Sequence, residues 1–365
     1  MSTHPFIIDF HQDIAYNTLA ESRDFTLSAQ EDRARLQQLG KLNPNAQPMC
    51  GWQDYQQAKI GIIIATIFSA SIKYSQQTEE AGKCSWKNYA DALRVNLGEL
   101  DFYDRLCDAH PDMYVRIKTR KDFENQVQLW SQPGDNTKPV GLVVSIEGIE
   151  GLTNFDELEM WAERGVHFIG PVWGGSRFFG GTLEHGPMQP EGRQLLHRME
   201  DLGFCLDVAH MTNESILAAA DNYGLNVICS HGNVRKLVKF DETERHLTDD
   251  AIRRIADHDG VIGVLPYNRF LDRSWKNTDP REWISLDTLA DHIDASCQLT
   301  GSHRHAAIGS DADGGFGYPA IPLELNTLAE LPLLGDTLEK RGYTKEQIEA
   351  IFNGNWQRIL RSTLP

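Results

Sequence analysis

Residues 5–16 read PFIIDFHQDIAY. The apolar run Phe6–Ile8 passes directly into Asp9, His11 and Asp13, three titratable groups at alternate positions. An apolar run with β-branched residues predicts a buried strand. Such a strand has no packing reason to end in three titratable groups, so its end either meets solvent or begins a site. Alternate side chains on a strand share a face. His11 and Asp13 therefore point one way and Gln12 the other. Asp9 has the parity of the first pair but sits deeper, which suits packing or support of a ligand better than ligation.

This run is the first of eight. The others are IGIIIATIF (60–68), VGLVVSIE (140–147), VHFIGPVW (166–173), FCLDVAH (204–210), NVICSH (226–231), GVIGVLP (260–266) and HAAIGSD (305–311). Amphipathic stretches lie between them. LSAQEDRARLQQLG (27–40) opens on a Ser cap and ends in Gly, and TNESILAAADNYG and LTDDAIRRIADHDG carry Thr caps at 212 and 248. In NYADALRVNLGELDFYDRLCDA, Leu93, Leu97, Leu100 and Leu106 fall near one face. Strands alternating with helices predict a parallel sheet, and near-continuous apolar strands predict burial on both faces. Eight such units predict an α/β fold, a single (β/α)8 TIM-like barrel over residues 1–365 with long rim loops and C-terminal helices. Residues 40–58 and 69–88, polar and irregular, are the expected rim loops. No Pro/Gly/Ser linker divides the chain.

The 365 residues are 41% hydrophobic and 24% charged, with a formal net charge of −17. This balance argues against nucleic acid and anionic membrane, which require basic patches. No apolar run reaches the ~18 residues that span a bilayer. No basic segment followed by an apolar one opens the chain, so no secretory signal is expected. The six cysteines form no CxxC pair. They read as reduced core thiols of a cytoplasmic protein.

In a barrel of this type the chemistry gathers at the C-terminal ends of the strands. Five groups fall there: His11 and Asp13 after the first strand, Glu147 after the third, His210 after the fifth and His231 after the sixth. Three imidazoles and two carboxylates exceed one tetrahedral zinc. They suit two metals sharing a bridging carboxylate, for which Glu147 is the natural choice. Glu150 competes with Glu147 but lies in the loop rather than at the end of the run. Asp207 is expected to orient a ligand rather than to be one. Asp311 sits at the eighth strand tip, while Asp313 is expected to hold the turn with Gly314 and Gly315. His110, His185, His258 and His292 read as surface or packing residues.

The order of these pieces resembles the membrane dipeptidase (renal dipeptidase) family of zinc peptidases, within the amidohydrolase superfamily. The matching segments are DFHQD, SIEGIEGL, LGFCLDVAHMTNESI, VICSHGNVRKL, ERHLTDDAIRRIADHDGVIGV, IGSDADGG and the tail LPLLGDTLEKRGYTKEQIEAIFNGNWQRIL. The resemblance implies two Zn²⁺ per chain, with His11 and Asp13 on one, His210 and His231 on the other and Glu147 between them. It implies Asp311 as the catalytic carboxylate and Arg245 as the clamp for a substrate carboxylate. It also implies a homodimer. Two departures stand out: Ala209 replaces a Ser, and Trp173 stands where the animal enzymes carry a substrate-binding His. Trp cannot exchange a proton. The loop WGGSRFFGGTLEHGP (173–187) also differs and is expected to shape the pocket.

The function expected is hydrolysis of a dipeptide, with a C-terminal D-residue among the candidates, or of an N-acyl amino acid. Other readings are a lactonase, phosphotriesterase or deaminase on the same barrel, a tailoring enzyme of a biosynthetic pathway, or a metal-free binding protein. No Lys stands at the third or fourth strand end to be carboxylated as a bridge, and all five ligand positions are filled.

Overall fold

Each of the eight apolar runs contains a strand: β1 Ile7–Gln12, β2 Ile60–Phe68, β3 Val140–Glu147, β4 Val166–Gly170, β5 Cys205–Asp207, β6 Val227–Ile228, β7 Ile262–Val264 and β8 Ala306–Ile308. The computed structural model describes residues 4–74, 84–134, 137–238 and 243–365. Every residue of these eight strands is buried, as runs without a polar face require.

All ladders among these strands are parallel, and the architecture is α/β with a curled parallel sheet. β1 to β6 neighbour one another in chain order within a seven-stranded sheet, whose seventh member, Tyr114–Arg116, pairs with the start of β3. β7 and β8 form a separate two-stranded ladder. A single bridge, Cys229 to Ile262, joins β6 to β7. Between β8 and β1 no ladder forms; Asp311 N donates to His11 O at 3.1 Å. The ladders thus form two sheets, which meet through backbone hydrogen bonds from Cys229 N to Val261 O, Gly263 N to Cys229 O and Gly232 N to Gly263 O on one side and from Asp311 N to His11 O on the other. β6, β7 and β8 are only two or three residues long, too short for a full ladder.

The closing segment packs beneath this junction. Trp356 stacks on Phe10 with ring centroids 3.7 Å apart, and its indole donates to Ile308 O at 2.7 Å. Asn353 donates to Phe6 O and Asn355 to Ala306 O. One helix therefore holds both β1 and β8. It belongs to the expected C-terminal set, Leu333–Lys340, Lys345–Glu349 and Asn355–Thr363.

The helices follow their caps. Ser28, Thr212 and Thr248 each accept a backbone N–H of the first turn. Two sequence expectations need correction. The stretch 40–58 contains a helix, Trp52–Ala58. In 69–88, Ala70–Ser71 and Ser85–Trp86 pair as a short parallel ladder, while 75–83 lie outside the described residues. In the helix Tyr89–Ala109 the fully buried face is Ala92, Val95, Asn96, Glu99, Leu100, Tyr103 and Cys107, with Leu93, Leu97 and Leu106 only partly buried beside it. Hydrogen bonds turn the helix this way. Phe68 N donates to Glu99 Oε2 at 2.8 Å, and Ser69 Oγ donates to Asn96 Oδ1 at 2.6 Å. The helix thereby holds the tip of β2.

Among the described residues no two cysteines form a disulfide, and Cys50, Cys84, Cys107, Cys205 and Cys229 are buried. Among the described residues, no helix is long and apolar enough to cross a membrane.

Candidate metal centre

The strand tips carry the expected residues to one place. His11 lies in β1 and Asp13 just beyond it. Asp13 holds the N-cap position of the helix Ile14–Glu21, yet its side chain makes no cap hydrogen bond and turns to the cluster instead. Glu147 is the last residue of β3. His210, His231 and Asp311 each follow their strand by three residues. His210 and Asp311 have positive φ, 69° and 51°. That conformation is uncommon outside glycine and gathers at functional sites. The next turn accommodates it: a Cβ on Gly314 would lie 1.9 Å from Asp311 Oδ1.

Three donor sets result, each with its atoms within 4.8 Å of one another: His11, Asp13 and Glu147; Glu147, His210 and His231; His11, His231 and Asp311. Glu147 divides its two oxygens. Oε2 lies 3.5 Å from His11 Nε2, whereas Oε1 lies 2.8 Å from His210 Nε2 and 3.5 Å from His231 Nε2. His11 Nε2 is also 3.7 Å from Asp13 Oδ1 and 3.9 Å from Asp311 Oδ1.

Each imidazole is oriented from behind by a hydroxyl. Thr66 Oγ1 lies 3.3 Å from His11 Nδ1, Thr182 Oγ1 2.9 Å from His210 Nδ1 and Ser230 Oγ 2.8 Å from His231 Nδ1. With Nδ1 engaged, Nε2 of all three rings faces the centre, the arrangement that metal-binding histidines use. His210 Nε2 and His231 Nε2 approach to 2.9 Å. Two ring nitrogens at this distance have either the N–H of one ring's tautomer between them or a metal ion.

The electrostatics set the three imidazoles apart. Burial alone would depress His11, but Glu147, with Asp13 and Asp311, raises it to about 10. Burial would raise Glu147, but His11 and His210 outweigh it and hold the carboxyl well below its usual range. Burial pushes Asp13 up to about 7. Burial also raises Asp311 well above the usual carboxyl range, and Asp13 and Glu147 add to the effect. Burial, then the charge of Arg245, pushes His210 down to about 4; burial, His11 and Arg245 depress His231. Neutral His210 and His231 are in the form that binds metal. His11 Nε2 and Asp13 Oδ1 are buried without a hydrogen-bond partner. Orphaned buried polar atoms are costly. The set contains nitrogen and oxygen donors and no sulfur, which suits zinc and other divalent first-row ions. The residues present therefore fit a metal.

Arg245 is buried, contrary to the solvated pairing that its acidic sequence neighbours would suggest. Nη2 donates to His231 O at 3.1 Å, the guanidinium lies 5.4 Å from the Phe270 ring centroid, and Nε has no hydrogen-bond partner. Trp173 follows β4, its ring 6.1 Å from that of His210, and its backbone N donates to Glu150 Oε1 at 2.9 Å. Glu150 is thereby placed outside the donor sets, and burial lifts its pKa to about 7.

A family model described as membrane dipeptidase (Peptidase family M19) matches residues 1–364. The chain belongs to the membrane dipeptidase family. It is a metallo-hydrolase by that membership. A Klebsiella pneumoniae relative, described as an uncharacterized protein in the pqqA 5′ region, is 30% identical over 235 residues, 62% of this chain and 83% of its own. Mouse dipeptidase 3 is 23% identical over 282 residues, 74% of this chain but only 52% of its own. The chain thus matches about half the length of that curated relative. A Rhodobacter sphaeroides metallopeptidase, crystallised with a phosphinate mimic of the dipeptide L-Ala-D-Ala, shares the fold with a TM-score of 0.77 at 18% identity, over 99% of this chain and 100% of its own.

Within this member of the membrane dipeptidase family, the hydroxyls behind the imidazoles are what sequence reasoning missed. Thr66, Thr182 and Ser230 carried no motif; Thr182 meets His210 across 28 positions of chain. Asp9 and Asp207 take the supporting roles expected of them. Asp9 accepts from Ser310 N, Ser310 Oγ and Gln12 Nε2. Asp207 Oδ1 accepts from Ala209 N and Ser230 N at 3.0 and 2.9 Å. Asp313 joins its turn only through its backbone, Gly315 N donating to Asp313 O at 2.9 Å, while its side chain ties the turn to distant segments, accepting from Met49 N at 2.9 Å and pairing with buried Arg23 at 2.5 Å.

Proposed function

We propose that the chain is a binuclear zinc dipeptidase, cleaving the amide bond of dipeptides, those with a C-terminal D-residue included, or of N-acyl amino acids. The divided carboxylate of Glu147 carries the reading. One oxygen faces His11 and the other faces His210 and His231, as a bridge between two ions requires. His11 and Asp13 would hold one Zn²⁺, His210 and His231 the second, and Glu147 both. When bound, the metals supply Lewis-acid polarisation of the amide carbonyl and a nucleophile at neutral pH.

Asp311 borders the cluster and can hold a proton there, then pass it to the leaving nitrogen. Arg245 presents a guanidinium held by His231 O and Phe270, its Nε without a hydrogen-bond partner among the described residues, and its planar donors match a carboxylate. A clamp that close to the metals favours a free C-terminus one residue beyond the scissile bond. Trp173 stands beside His210, their rings 6.1 Å apart. The dipeptide mimic named for the Rhodobacter sphaeroides structure supports the substrate class. In the same reading residues 1–365 form one domain, and its two sheets close into a single (β/α)8 barrel. The Cys229–Ile262 bridge and the Asp311–His11 hydrogen bond support that closure.

Metal analysis and a dipeptide panel test this. Two zinc ions per chain are expected after loading; one or none breaks the binuclear reading. Asp311→Asn is expected to keep both metals and to lower kcat by about 10²–10⁴-fold. Turnover near the wild-type level would remove Asp311 from its role.

A further inference from the structure

We infer that the cavity beyond Trp173 receives the side chain of the substrate's N-terminal residue and selects large, uncharged aromatic groups there. The inference rests on the dipeptidase reading and adds to it the half of the substrate that Arg245 does not touch.

The cavity measures about 550 Å³. Its lining comes from the segments after β2, β3 and β4, where Ala70, Glu150 and Trp173 stand, and from Trp86 and Tyr89 at the start of the long helix. Arg245 follows β6, on the far side of the curled sheet from β2. A substrate with its carboxylate on Arg245 and its amide over the metal cluster must run its amino-terminal half toward the tips of β2 to β4. Trp173 marks that passage. Its ring lies 6.1 Å from the ring of His210, while it also lines the cavity. It is fixed there by edge contacts with Phe68 and Tyr74, at 5.2 and 5.8 Å, and by the hydrogen bond to Glu150.

The chemistry of the walls names the class. Tyr74, Trp86, Tyr89 and Trp173 offer rings from several directions, and aromatic pairs gain from edge and offset contacts beyond their buried area. The charges are already matched. Lys73 pairs with Glu184 at 2.6 Å, and Arg177 pairs with Glu191 at 2.8 Å while lying 4.7 Å from the Tyr89 ring centroid. Glu150 accepts from Trp173 N, and Lys87 stands exposed at the rim. Among the described residues of the lining, the buried carboxyl of Glu150 is engaged by Trp173 N and the other charges are paired or exposed, so ring contacts rather than ion pairing set the preference.

The test uses the zinc-loaded enzyme and dipeptides X–D-Ala, with X as Gly, Ala, Leu, Phe, Trp, Glu or Lys. Phe and Trp are expected to exceed Ala in kcat/KM by about tenfold or more, and Glu and Lys are not. Tyr89→Ala removes an exposed ring from the wall and is expected to lower the Phe-to-Ala ratio by about threefold or more. A flat profile, a preference for Glu or Lys, or a ratio unmoved by Tyr89→Ala overturns the pocket. Absence of turnover for every dipeptide overturns the dipeptidase reading itself. The wild-type profile decides the matter even if the variant fails to fold.

Discussion

The two halves of the sheet hold their site residues by different means. β1, β2 and β3 run for 6, 9 and 8 residues, and His11 and Glu147 lie within them. β5, β6 and β8 run for 3, 2 and 3 residues, and His210, His231 and Asp311 stand three residues past their ends. In the first half the ladder itself sets direction: Phe68, Glu147 and Gly170 sit side by side in register. In the second half a carboxylate does that work. Asp207 ties the β5 turn to Ser230, and Ser230 in turn supports His231; Asp9 ties Ser310 beside Asp311. The lesson is that a site can be built half on regular backbone and half on pinned loops, with the same final convergence.

The largest effect is expected at the junction of the halves. Glu147→Gln removes the charge that both donor groups share, so metal content should fall below two per chain and activity should collapse with it. Metal analysis beside turnover reads this; retention of both ions with full activity would separate the halves and break the comparison. Next come the hydroxyls behind the rings. Thr182→Val and Ser230→Ala should each weaken metal affinity by about 10–100-fold. Thr66→Val should cost less, because its contact is longer, 3.3 Å against 2.9 and 2.8 Å. Competition with a chelator ranks the three; an equal loss at Thr66 would mean that the ladder does not orient His11.

Stability effects are smaller. Asp207→Ala leaves Ala209 N and Ser230 N without their carboxylate and should cost about 1–3 kcal/mol in urea unfolding. Ser145→Ala within β3, where the backbone ladder is intact, should cost under about 1 kcal/mol. Equal costs would show that the loops need no such pin. The last change appears only as pH falls and concerns His292, which is buried, accepts from Val234 N at 3.0 Å and is pushed down to about 3, chiefly by burial. Its unfolded pKa is about 6.5, so between these values the unfolded chain binds the extra proton. Stability is then lost as pH falls below about 6.5, by about 1.4 kcal/mol per pH unit. His292→Gln should flatten that limb between pH 6.5 and 5.

How much of this was legible differs between the same two halves. The alternation in DFHQD and the polar end of VGLVVSIE pointed at His11, Asp13 and Glu147 because a strand repeats every two residues. The histidines of the second half were recognisable as polar ends of apolar runs. Their left-handed or loop backbone, and the hydroxyls that aim them, were not. Leu93, Leu97 and Leu106 misled on the facing of the long helix, since apolar spacing alone does not register that Asn96 and Glu99 bind the tip of β2.

The sequence by itself determined the eight buried strands, their parallel order and the identity of the residues at their tips, because hydrophobic periodicity and chain order are local properties. Only the tertiary structure decided that Arg245 is buried rather than solvated, and that Thr66 and Thr182 stand behind the imidazoles of His11 and His210. Those outcomes depend on side chains from distant segments meeting within about 3 Å, a distance that hydrogen bonds require and sequence spacing does not encode.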